Sequence, residues 1–177
     1  MSTRAVLERL VENNLVVHVP PQMVGTTSRR HFFLVLNISQ RLEAALYGKS
    51  GYDKRLAMLL QDIDTFTAGQ IVSFGNHPYA KDKSAFIART SPEEFGIFDI
   101  RSNNPSPALR LFGAFAEVDT FVGLTIRVRK ELGGKAEPKF DDAVTEAALL
   151  WNRLFPDNKP FNRLDPRELV SHNVHIV

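Results

Sequence analysis

Residues 95–130 read FGIFDIRSNNPSPALRLFGAFAEVDTFVGLTIRVRK, and their alternation decides the fold. The stretch predicts three short antiparallel strands, at 95–101, 109–116 and 120–129, with an Asn-, Ser- and Pro-rich loop after the first. A two-residue turn at Val118-Asp119 pairs Glu117 with Thr120, Phe115 with Val122, Gly113 with Leu124 and Leu111 with Ile126. The other face pairs Phe112 with Thr125 and Arg110 with Arg127, and Arg129 lies two residues further along it. Like charges directly opposed across a sheet are unfavourable, so an anion is expected between these arginines.

Around this ribbon the chain reads as one α+β domain over 1–177, a small antiparallel sheet packed by helices. Residues 1–30 read as an N-terminal attachment and 156–177 as a polar tail that packs only in part. Apolar stripes predict helices at 3–13, 38–47 and 53–67, the last capped by Asp53 and ended by Gly69. A fourth helix runs to Phe155, capped by Asp141 or Asp142 and stopped by Pro156. Strands are expected at 15–19, 31–36 and about 85–90. Residues 70–84 alternate poorly, with Gly75, Asn76 and Pro78 marking a turn and Lys81 to Lys83 a solvated tip.

Composition narrows the function classes. Forty-four per cent hydrophobic and 24% charged residues suit a globular core, and thirteen phenylalanines against one tryptophan predict that Phe builds it. The net charge of +2 is too small for a nucleic-acid signature, so the local distribution of charge matters more. The absence of cysteine excludes disulfides, thiol catalysis and cysteine-based zinc sites, and suits a cytoplasmic location. No apolar run reaches membrane-span length, and the charged N-terminus does not read as a secretory signal. No P-loop, GxGxxG or GxSxG motif is present, and no cofactor is expected.

The arginine face carries the strongest chemical signal. Arg110, Arg127 and Arg129, with Arg101 and Lys130 at the margin, could bind phosphate through parallel guanidinium hydrogen bonds and stabilise developing charge. Phe112 between them could stack a base. The competing reading is an ordinary solvated face on which Asp99, from the neighbouring strand, neutralises Arg110. His172 and His175 could transfer protons if the tail folds back on the sheet, whereas HxxH without a third ligand predicts no metal site. His18, His31 and His77 have no recognisable partners in the sequence. The paired carboxylates fit caps and surface charge.

The element order, with Phe98-Asp99-Ile100-Arg101, Arg110-Leu111-Phe112-Gly113 and Val122 to Lys130, resembles the RelE/ParE toxin superfamily, in its phage-encoded and HigB-like branch, over about residues 31–155. The resemblance implies two helices on an antiparallel sheet in a toxin-antitoxin protein of bacterial or phage origin. For the ribosome-dependent members it implies endoribonuclease action on messenger RNA in the ribosome. Arg110 and Arg129 would be the phosphate and transition-state arginines, with His172 or His175 as acid or base, and Arg101, Phe112, Arg127 and Lys130 as RNA-binding residues. The family's tyrosine after the last strand is absent. A non-catalytic module fits that absence: a gyrase-inhibitor-like protein, an interaction protein of a phage or mobile element, or a basic face that binds its own acidic partner. An antitoxin is the implied protein partner.

Overall fold

The computed structural model describes residues 1–22, 25–47, 53–76, 85–133 and 138–177. The predicted turn residues His77 and Pro78, the tip at 81–83 and the helix stop at Gly48 lie outside them.

Helix α1 (Thr3–Glu12) is capped by Ser2, whose side chain accepts from the Ala5 amide, and buries Val6, Leu7 and Leu10. Strand β1 (Val16–His18) follows, then β2 (His31–Val35), which runs directly into α2 (Leu36–Tyr47). In α3 (Lys54–Thr67) the Asp53 carboxylate caps the first turn by accepting from the Arg55 amide, and Leu59, Ile63 and Phe66 form the buried stripe. Gly69 ends this helix at φ +73°, a conformation open to glycine. Strands β3 (Val72–Gly75), β4 (Ile87–Arg89), β5 (Phe98–Ser102), β6 (Leu109–Glu117) and β7 (Thr120–Val128) come next. Helix α4 (Lys139–Leu154), the single turn α5 (Pro166–Leu169) and strand β8 (Val174–Ile176) complete the chain.

The sheet is larger than the sequence suggests. Among the described residues eight strands join in the order β1-β2-β7-β6-β5-β4-β3-β8. Neighbours from β7 through β4 are antiparallel, but β2–β7, β4–β3 and β3–β8 are parallel, so the expected small antiparallel sheet is the centre of a mixed one. Strand β3 lies where alternation was poor. The tail at 156–177 is likewise part of the body: Leu169 and Val170 are buried, and β8 forms an edge of the sheet. The N-terminal attachment also packs, since β1 pairs with β2 and α1 is half-sunk in the core. The fourth helix opens at Lys139 after Pro138 with no side-chain cap, so Asp141 and Asp142 serve its first turn by complementing the helix dipole.

Helices flank both faces. Phe66 of α3 packs edge-on against Phe32, and a chain of ring contacts runs from there through Phe121, Phe115 and Phe98 to Phe74. On the opposite face Phe140 of α4 meets Phe112, and α1 lies over β1 and β6.

The β6–β7 register begins and ends as the sequence predicts. Glu117 faces Thr120, and at the far end Phe112 faces Thr125, Leu111 faces Ile126 and Arg110 faces Arg127. Between them two register shifts offset one another, so Gly113 faces Gly123 and Phe115 faces Phe121, correcting the expected partners Leu124 and Val122. Glycine permits this close approach. A Cβ at Gly113 would fall on the Val122 carbonyl oxygen and 2.5 Å from the Phe121 ring, both held in place by the core. Gly113→Ala is therefore expected to cost about 3 kcal/mol, read as a lowered midpoint in urea unfolding.

Candidate anion site at the open end of the hairpin

Asp99 organises the site. It stands on β5 between two antiparallel neighbours, and its side chain is only 1% exposed. Its Oδ2 accepts from Arg101 Nε and from Arg110 Nε, each at 3.1 Å. Arg101 and Arg110 are cross-strand partners, and Arg110 is in turn opposite Arg127, so three arginines form a row across β5, β6 and β7. Asp99 precedes Arg101 by two residues and so shares its face. The anion that the opposed arginines call for is thus supplied by the chain itself, as in the competing reading of the sequence.

The electrostatics are those of a crowded, half-dry cluster. Burial pushes the Asp99 carboxyl above the usual carboxylate range, and the charges of Arg101, Arg110 and Arg129 pull it back. Burial pulls the Arg110 guanidinium down to about 10, Asp99 opposes that, and the charges of Arg101 and Arg129 add to it. Asn103 accepts from Arg110 Nη1 at 3.1 Å, holding the guanidinium from the loop side.

The other predicted site residues are placed as follows. Arg127 shares the face but turns to α4, where it pairs with Glu146, and it also donates to its neighbour's carbonyl at Ile126. Arg129 lies past the end of β7 and opens the 3-10 turn Arg129–Leu132. There it is exposed and donates to the Gly133 carbonyl at 3.0 Å, while its charge still reaches Asp99. Lys130 is exposed in the same turn. Phe112 is fully buried against Phe140, so the expected base-stacking surface is core.

The histidines are not brought to the arginines. The chain before His172 wraps the hairpin turn: the Asp119 amide donates to the Leu169 carbonyl, and Asp119 accepts from the Ser171 amide and hydroxyl. That turn is nine residues from Arg110 along an extended strand, on the order of 25–30 Å. His175 is exposed on the edge strand β8, opposite Ser73. Four strand spacings separate it from β6, roughly 19 Å. Neither can exchange a proton with a group held by Arg110, which corrects the expected acid–base assignment. Among the described residues no cluster of three or more His, Asp or Glu could hold a metal ion, and no helix is long and apolar enough to cross a membrane.

Two features escaped the sequence. His18 and His31 come within 5.7 Å of each other, ring to ring, because β1 and β2 pair antiparallel. Their signal was the alternation of His31 and Phe33 against Phe32, which puts both on the face opposite the phenylalanine core. Arg30 and Arg89, 2% and 3% exposed, are interior ties and not part of the basic face.

Comparison with protein-family models, with curated proteins and with solved structures gave no match.

Proposed function

We propose that this chain is a non-catalytic binding protein whose Arg101, Arg110 and Arg129 take a carboxylate of an acidic protein partner. One observation carries this reading: a single buried carboxylate, Asp99, faces two guanidinium groups at 3.1 Å while the charge of Arg129 acts on the same pair. Among the described groups acting on Asp99, positive charge exceeds its own. A guanidinium offers parallel donors matched to the two oxygens of a carboxylate. The net charge of +2 favours a protein partner over a nucleic acid, whose binding calls for a strongly basic surface. The alternative is the mRNA-cleaving toxin of the RelE/ParE resemblance. It needs a proton-transfer group beside Arg110 and Arg129, and the histidines expected to serve, His172 and His175, lie elsewhere in the fold.

Fluorescence anisotropy with a labelled Glu- and Asp-rich peptide, run beside a single-stranded RNA of equal length, separates the two. The peptide is expected to bind and to weaken as salt rises. Arg129→Ala is expected to lower its affinity about tenfold, the loss of one charge-assisted hydrogen bond. The melting temperature should stay unchanged, because Arg129 is exposed. RNA cleavage that Arg110→Ala abolishes would replace this reading with the nuclease.

A further inference from the structure

At the turn end of the same hairpin, far from the arginine cluster, α1 and the β1–β2 edge enclose a cleft of about 420 Å³. That volume is within the range of small-ligand sites. Its floor is aromatic: the His18 ring lies 5.7 Å from His31 and 4.9 Å from Phe33, tilted against both. Leu7 and Val11 of α1 form an apolar wall. Among the described residues three carboxylates surround it, Glu8 and Glu12 from α1 and Glu117 from β6, against one cation, Arg4. With neutral histidines the lining carries two more negative charges than positive ones.

The protein's own guanidinium marks what this lining attracts. Arg4 spans the mouth, with Nε 3.5 Å from Glu8 and Nη1 3.8 Å from Glu117, and its side chain is 69% exposed. Such long, exposed pairs contribute little and give way readily. We propose that the cleft is a binding site for an organic monocation on a short apolar stem, an alkylamine or alkylguanidine, whose charged head takes the place of Arg4 between Glu8 and Glu117. The stem would lie on Leu7, Val11 and Phe33, and the head over aromatic faces, an arrangement that attracts cations. His18 contributes its ring to the floor, while its Nε2 is buried and has no hydrogen-bond partner among the described residues.

Acidity opposes the cation. The groups facing the floor are Arg4, Glu8 and Glu12 from α1, His31 from β2 and Glu117 from β6. Burial, followed by the charge of His31, holds His18 below the ordinary imidazole value. Its ring therefore takes up a proton less readily than a free imidazole, and a proton there adds positive charge to the floor.

The test is an NMR titration of the full chain with butylguanidinium, with butanol as the uncharged control and an arginine-containing tripeptide as the second source of the same head group. Saturable shifts at His18 and His31 are expected, weaker at pH 5 than at pH 8. Arg4→Ala is expected to bind several-fold tighter, because it removes the competing guanidinium, and Glu117→Gln about tenfold weaker. Binding of butylguanidinium but not the tripeptide assigns the site to a free small cation, and binding of both assigns it to a partner's side chain as well. Equal binding of butanol, or no saturable shift in either the natural chain or Arg4→Ala, overturns the proposal.

Discussion

Asp99→Ala is expected to destabilise the fold by about 3–5 kcal/mol, the cost of removing one partner from a buried ion pair. Asp99 is the acceptor for both Arg101 and Arg110. Without it the two guanidinium groups, cross-strand partners with a side-chain exposure of only 19% and 12%, repel each other in a poorly solvated pocket. The charge of Arg129 adds to this repulsion. For a chain of this size the loss corresponds to a fall in melting temperature of roughly 10 °C. Arg110→Leu added to Asp99→Ala should recover part of that loss, since one of the two repelling charges then disappears and apolar volume replaces it. Calorimetry of the two variants checks this. If the double variant is the less stable, the cost comes from lost packing and not from uncompensated charge.

Arg30→Ala is expected to cost a comparable amount, and its effect should be concentrated at the C-terminus. Arg30 donates from Nη1 to the carbonyls of Phe66 at 3.3 Å and Gln70 at 3.0 Å, and from Nη2 to the carbonyl of His172. Its Nε is 3.8 Å from Asp119, and the guanidinium lies over the Phe66 ring. One side chain thus ties the end of α3, the hairpin turn and the strap that leads into β8. Burial holds this guanidinium below its ordinary value, and Asp119 opposes the shift. Truncation leaves three carbonyls without their donor and a carboxylate without its cation, about 3–5 kcal/mol in total. Hydrogen exchange should show the amides of β8 losing protection before those of β6. Uniform loss across the sheet would mean that Arg30 supports the core generally and does not act as a clasp for the strap.

What could be read in advance was what local pattern determines. The hairpin, its two-residue turn and the Arg110–Arg127 pairing follow from alternation counted outward from Val118-Asp119, although Asp119 and not glycine takes the left-handed position, at φ +59°. Helix α3 was legible from its cap and stripe. The middle of the hairpin was not, because two offsetting bulges leave the ends in register and only the glycines at 113 and 123 hint at them. Strands β3 and β8 were hidden for another reason. Each has four residues or fewer and pairs in parallel with distant chain, so nothing nearby in sequence specifies it. The candidate site divides in the same way. Arg101, Arg110 and Asp99 were legible because they sit on adjacent hairpin strands. The fate of Phe112 and Arg127 depended on α4, which packs on that face from another part of the chain.

The most direct test of the central claim follows the arginine side chains themselves. Nitrogen-15 spectra of the Nε–H groups, recorded while a Glu-rich peptide is added, should show Arg101, Arg110 and Arg129 shifting together and saturating, with Arg30 and Arg89 unmoved in the interior. Binding that shifts the backbone amides of β8 or α1 while those three arginine signals stay in place would contradict it.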